Sequence, residues 1–166
     1  KHSGYITLES ELGVGTTFYI YLPASTKKVS EKLEIEEKIS NNRGKILLMD
    51  DEEAVRKTAG SILDYLNYNV EFAEDGSEAI ELYQKAEETG EPFDAVILDL
   101  TVPGKMGGKE TIDKLRQINP EIKAIISSGY SDDPVMSDYK KYGFNGVIGK
   151  PYSIKELGDI LHKVIN

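Results

Sequence analysis

Residues 45–55 read KILLMDDEEAV: four apolar side chains, Ile46 to Met49, run without a break into Asp50, Asp51, Glu52 and Glu53. A short continuous apolar run is the pattern of a strand covered on both faces. Adjacent carboxylates at the end of such a strand repel each other. They are tolerated where something cationic sits between them, or where they cap the next helix and meet its dipole. On this stretch alone both readings stay open.

Working outward, the apolar residues switch period. Val55, Ala59, Ile62, Leu63 and Leu66 recur at helical spacing. A second strand is expected near Asn69–Ala73, and a second helix carries Ala79, Ile80, Leu82, Tyr83 and Ala86. FDAVILDL, residues 93–100, is again nearly continuous and rich in β-branched side chains, as a central strand should be. A third helix carries Ile112, Leu115 and Ile118 and should end at Asn119, because Pro120 disfavours helix in the residue before it. IKAIISS reads as strand four, and SDDPVM opens helix four with Asp133 before Pro134. NGVIGK reads as strand five, and Ser153 with Glu156 forms a capping box for a last helix through Leu157, Leu161 and Val164. Strand and helix alternate five times from Gly44 onward. That alternation predicts an α/β fold, a doubly wound parallel sheet with helices on both faces and ligand sites at the C-terminal strand ends.

The strand ends collect a short list. Strand one ends in Asp50-Asp51, strand three in Asp99, strand four in Ser127-Ser128-Gly129 and strand five in Lys150-Pro151. Three carboxylates on one edge resist ionising together without a cation. Oxygen donors with no histidine or cysteine beside them point to a hard ion, Mg²⁺ first. A lysine and a hydroxyl opposite them suit a phosphoryl group.

Residues 44–166 resemble the receiver domain of two-component response regulators, with LLMDDEE, VILDLTVPGKMGG, IISSGYSDD and GVIGKPY in that family's order and spacing. The resemblance implies a flavodoxin-like (βα)5 fold of strand order 2-1-3-4-5. It implies that Asp99 is the phosphoacceptor, forming an aspartyl phosphate from a phosphohistidine. Asp51 would ligate Mg²⁺ directly, Asp50 largely through water, and the backbone carbonyl of Thr101 would be a further ligand. Lys150 would contact the phosphoryl oxygens. Ser128, chosen over Ser127 because Gly129 follows it, would supply the hydroxyl. The Lys150–Pro151 bond is expected to be cis. The implied partner is a histidine kinase or a histidine phosphotransfer domain, with the helix 4–strand 5–helix 5 face as one possible dimer surface. Thr101 and Tyr130 occupy positions that tune the lifetime of the aspartyl phosphate in the family. One departure stands out: three residues before the lysine, where many receivers carry Tyr or Phe, this chain has Val147.

The front of the chain differs. Residues 1–23 alternate in strand fashion as YITLES, a turn ELGVG, and TTFYIYLP; residues 24–43 are charged and read as a linker. GYITLESELGVGTTFYIYLP resembles the last hairpin of a histidine-kinase ATP-binding domain. Placed before a receiver, it implies a hybrid histidine kinase, a phosphotransferase whose ATP site is not completed by these residues. A lone two-stranded hairpin is marginal in water, so residues 1–23 are expected to be disordered or ordered by a neighbour, the hairpin being a second possible dimer contact. The first residues, KHSGYITLES, do not look like an initiator start, and the chain is expected to be a piece of a longer one.

Composition excludes other classes. The net charge of −9 argues against non-specific nucleic-acid binding. The absence of cysteine excludes a disulfide scaffold and any thiolate zinc site. No apolar run approaches the ~20 residues of a membrane span and no signal peptide is visible. A cytoplasmic location without membrane contact by these residues is expected, compatible with a membrane-attached parent. GKMGGKE lacks the spacing and the Ser or Thr of a phosphate loop, and GVGTTF lacks the third glycine of a dinucleotide fingerprint. His2 and His162 read as surface residues, and the tyrosines at 65, 68, 83, 139 and 142 as packing. Two alternatives share some of these features: a degenerate receiver that only docks proteins, and an Asp-nucleophile phosphatase of the haloacid dehalogenase type. The latter needs a second Asp two residues after the first, where this chain has Thr101.

Overall fold

The structure, a computed structural model, describes residues 3–24, 44–129 and 133–166. Most of the expected linker, His2 and Tyr130 lie outside the described residues. The chain divides into two compact units, Lys1–Lys38 and Ile39–Asn166, and each is described by itself.

In the first unit, β1 (Tyr5–Glu11) and β2 (Gly15–Tyr21) pair antiparallel from Tyr5 opposite Tyr21 to Glu11 opposite Gly15. The two-residue period sorts the side chains. One face carries the cross-strand pairs Ile6–Ile20 and Leu8–Phe18. On the other, Tyr5 stacks on Tyr21 with ring centroids 4.5 Å apart, and the Tyr19 hydroxyl donates to Glu9 at 3.1 Å. Every residue of both strands is exposed.

The second unit runs β3 (Lys45–Met49), α1 (Glu53–Tyr65), β4 (Asn69–Ala73), α2 (Gly76–Thr89), β5 (Ala95–Asp99), α3 (Gly108–Ile118), β6 (Ala124–Ser128), α4 (Pro134–Ser137), a 3₁₀ turn (Tyr139–Tyr142), β7 (Gly146–Gly149) and α5 (Ile154–Ile165). The five strands lie parallel in the order β4-β3-β5-β6-β7, which is the expected 2-1-3-4-5. Alternate residues of each strand feed opposite layers. Leu47, Met49, Val96, Leu98, Ala124 and Ile126 pack with Ala79 and Tyr83 of α2 and Ile112 and Leu115 of α3. Ile46, Leu48, Ile97 and Ile125 pack on the other side with Ala59 and Leu63 of α1 and Leu157 and Leu161 of α5. Each such buried Leu or Ile stabilises the fold by roughly 1.5–3 kcal/mol before entropy is charged against it.

The expected fourth helix is reduced to one turn followed by the 3₁₀ turn. Asp133 does cap it, accepting from the Val135 N–H at 2.8 Å. The next positions, Ser137, Asp138 and Tyr139, offer neither strong helix formers nor a continuous apolar stripe, so the helix does not propagate. Tyr65 is exposed, against the expectation that it packs; Tyr83 is fully buried and receives a 3.0 Å hydrogen bond from Asn119. The GKMGGKE stretch has a structural explanation. A Cβ at Gly108 would lie 2.7 Å from the Asp99 carbonyl oxygen, and one at Gly107 would lie 2.5 Å from that of Leu100. The glycines let α3 start against the end of β5. Among the described residues no helix is long and apolar enough to cross a membrane.

Candidate functional site

Each strand end reaches its place through the ladder. The Asp50 N–H donates to the Ala73 carbonyl at 3.0 Å, and the Leu100 N–H to that of Ser127 at 2.8 Å. The Lys150 N–H donates to the Ser128 carbonyl at 2.9 Å, and Asp99 stands in register with Ser127. Asp50, Asp51, Asp99 and Lys150 are thereby set on one edge of the sheet.

The carboxylates of Asp50, Asp51 and Asp99 converge, each offering an oxygen within 4.8 Å of the others. Asp50 is fully buried and Asp99 nearly so, whereas Asp51 is exposed and opens the cluster to solvent. The Lys150 Nζ lies 2.5 Å from Asp50 Oδ2 and 3.0 Å from Asp99 Oδ1. Asp50 Oδ1 accepts the Glu52 N–H at 3.0 Å at the entry to α1. Its Oδ2 is buried without a hydrogen bond of ordinary geometry and is met by that ammonium. Asp50 therefore does both jobs weighed at the outset: one oxygen serves the helix start, the other faces a cation.

Burial lifts the Asp99 carboxyl above its usual pKa. The Lys150 hydrogen bond and charge pull it down, and Asp50 and Asp51 add further upward push. For Lys150, burial alone would lower the ammonium pKa, but the hydrogen bonds to Asp50 and Asp99 outweigh it and the net shift is upward. The site is thus a dense, partly dehydrated charge cluster in which one lysine offsets three acids.

Ser128 is buried at the end of β6, and Thr101 is exposed on the loop leaving β5. Ser127 is also buried, with its hydroxyl 2.7 Å from that of Tyr152. The Lys150–Pro151 bond is cis, as expected. Two participants were not singled out from sequence. Arg56 of α1 donates to the Asp50 carbonyl at 2.5 Å and to Glu74 Oε1 at 3.1 Å, tying the ends of β3 and β4 together. Tyr152 is the other. A cation four residues into the helix after the acid pair was the available signal for Arg56; the Tyr152–Ser127 contact, between residues far apart in the chain, had none.

The donor set fits a small hard cation. All three groups are carboxylates, their oxygens already converge, and a single lysine faces the two buried ones.

A family model described as the response regulator receiver domain matches residues 46–162. The sensor kinase CckA of Brucella abortus is 34% identical over 171 residues, covering 98% of this chain and 18% of that kinase. The aerobic respiration control sensor protein ArcB of Escherichia coli is 28% identical over 166 residues, covering 96% of this chain and 20% of that protein. The chain thus spans about a fifth of the length of these two relatives. Among solved structures, the chemotaxis protein CheY4 of Vibrio cholerae superposes with a TM-score of 0.66 at 27% identity, covering 74% of this chain and 99% of that one.

Proposed function

The chain belongs to the response regulator receiver domain family, and we propose that within it Asp99 is the phosphoacceptor of a Mg²⁺-dependent phosphoryl transfer. Receiver domains act in two-component phosphorelay signalling and bind Mg²⁺ through acidic residues, and this one has the fold and the clustered acids of its family. The observation that carries the assignment is the convergence of the Asp50, Asp51 and Asp99 carboxylates, with the Lys150 ammonium on Asp50 and Asp99.

In this reading an Asp99 carboxylate oxygen attacks the phosphorus of a phosphohistidine on a histidine kinase or phosphotransfer domain. The P–O bond forms as the P–N bond breaks, and the imidazole leaves with the bonding electron pair and takes up a proton. Asp50, Asp51, Asp99 and the Thr101 carbonyl would hold Mg²⁺, which when bound offsets the charge of the acids and of the phosphoryl oxygens. Lys150 would hand its contacts to the phosphoryl group, and the Ser128 hydroxyl would meet it from β6. The Ser127 hydroxyl is engaged by that of Tyr152.

We read residues 1–23 as the terminal hairpin of a kinase ATP-binding domain, 24–43 as a linker and 44–166 as the receiver, the arrangement of a hybrid kinase. Support comes from the two sensor kinases, which match nearly the whole chain, hairpin included. The parent's activity, signal, location and partners belong to the same proposal.

Intact-mass measurement after acetyl phosphate treatment, with and without Mg²⁺, tests the site. One phosphoryl adduct is expected, dependent on Mg²⁺ and absent from Asp99→Asn. Asp51→Ala should lose Mg²⁺ binding and labelling together. Normal labelling of Asp99→Asn at another carboxylate would overturn the assignment.

A further inference from the structure

Tyr152, in the connection from β7 to α5, is not one of the acids or the lysine of the site, yet it stands two residues after Lys150. The residue is 9% exposed and lies in the apolar layer with Ile46, Leu48, Ile97 and Ile148. Its hydroxyl meets Ser127 Oγ at 2.7 Å, and both groups are buried. A phenol inside an apolar layer requires a partner; here the partner is the residue in register with Asp99. One residue further along β6, the Ser128 carbonyl takes the Lys150 N–H at 2.9 Å. Residues 150–152 are therefore tied to two consecutive residues of β6, by backbone at one end and by a hydroxyl pair at the other. Between the ties stands Lys150, with its ammonium on Asp50 and Asp99.

We propose that the Tyr152–Ser127 hydroxyl pair is a positioning device that fixes the loop carrying Lys150, so that the ammonium is delivered to the gap between Asp50 and Asp99. The ring alone, gripped by apolar neighbours, resists withdrawal but not sliding or rotation; the directional bond to Ser127 removes that freedom. The Tyr152 hydroxyl bonds Ser127 and neither carboxylate, so it acts through Lys150. Burial, with added push from Asp50 and Asp99, lifts the Tyr152 hydroxyl pKa to about 12 against the opposing pull of Ser127 and Lys150, so the phenol stays protonated at working pH. The consequence for rate rests on the phosphoacceptor reading; the consequence for Lys150 mobility does not.

The test uses Tyr152→Phe, Ser127→Ala, their double variant and Ser127→Thr in the full chain. Two readouts are taken: the NMR order of the Lys150 Cε methylene without phosphodonor, and the initial rate of labelling by acetyl phosphate with Mg²⁺. Each single variant should lower the Lys150 order and slow labelling about tenfold, the scale of a misplaced group near a reacting centre. The double variant should be no slower than either single, because one bond is lost in all three. Ser127→Thr keeps a hydroxyl and should restore both readouts. Unchanged Lys150 order in both single variants overturns the proposal, as does multiplication of the rate losses in the double. A wild-type chain that takes up no phosphoryl group, while the variants still loosen Lys150, would defeat the phosphoacceptor reading and leave the positioning role standing.

Discussion

Asp50 shows how one side chain carries two constraints. It is fully buried, gives one oxygen to the Glu52 N–H and leaves the other to Lys150. Removing that ammonium leaves a buried carboxylate without its counter-charge, which typically costs about 3–5 kcal/mol. Lys150→Met, which keeps much of the length and loses the charge, is therefore expected to lower stability by about 3 kcal/mol in Mg²⁺-free buffer. A cation held by Asp50, Asp51 and Asp99 supplies the missing charge, so added Mg²⁺ should stabilise the variant more than the wild type. Urea unfolding with and without MgCl₂ measures both; equal Mg²⁺ increments for the two proteins would show that Lys150 does not provide the charge balance. At this scale the placement of the candidate residues was readable at the strand ends: Asp50, Asp51, Asp99 and Lys150 each follow an apolar run and lie together in the structure. Arg56 left only the signal of a cation near the start of the helix after the acid pair, and the Tyr152–Ser127 pair left none, because a contact between distant residues leaves no periodic trace and a serine beside a serine gives no sign of which way each points.

At the scale of elements, the loop from β5 to α3 is pinned to the start of α2. Asp75 Oδ1 accepts from the N–H groups of Ser77 and Glu78 at 2.8 and 3.2 Å, its Oδ2 lies 2.9 Å from Lys105 Nζ, and the Gly76 N–H donates to the Met106 carbonyl at 2.9 Å. Gly76 is needed for this approach, since a Cβ there would come within 2.0 Å of Thr111 Oγ1. Asp75→Ala removes the cap and should cost about 1 kcal/mol. The pH dependence follows from the direction of the shift. The Lys105 hydrogen bond, followed by those from the helix backbone, holds the Asp75 carboxyl below its usual range. A lowered folded-state pKa means that the stabilisation is complete above the unfolded value, about 3.9, and is lost as pH falls through the lower folded one. The gap between wild type and Asp75→Ala should thus stay constant from neutral pH to about 5 and close below about 4. Chemical unfolding across that range is the measurement, and a gap that persisted at pH 2 would mean that the carboxylate charge is irrelevant to the cap. The shortened α4 is the element that sequence overstated, because a good cap starts a helix but cannot sustain one. Its neighbour Val147 is half-buried against the layer that includes Met136 and Phe144. Lacking a ring and stiff at χ1, it should show only small NMR shift changes when beryllofluoride, a phosphoryl mimic, is added. Large shifts centred on Val147 with a rotamer change would overturn that expectation.

At the scale of the whole molecule, the two units differ in how they are held together. The receiver buries two apolar layers, whereas the hairpin leaves both of its faces exposed. Ile6, Leu8, Phe18 and Ile20, paired across the strands, are each 58–69% exposed, and Leu22 follows them at 67%. A two-stranded ribbon is marginal without a surface to cover one face, and its free edges and apolar face invite pairing with another chain. The alternation that made these strands legible also showed which face seeks cover, but not what covers it, because that information lies in the covering surface. Self-association through the hairpin is therefore expected for the 166-residue chain, and removal of residues 1–43 should give a monomer that labels with acetyl phosphate at an unchanged rate. Sedimentation velocity on both chains decides the first point and intact mass the second. Leu8→Lys with Phe18→Lys, which puts two like charges at one cross-strand pair, should reproduce the monomer in the 166-residue chain if the apolar face is the contact. A dimer that survives the truncation would place the contact on the receiver instead, with α4, β7 and α5 as the face to mutate next, and the hairpin would lose its role in association.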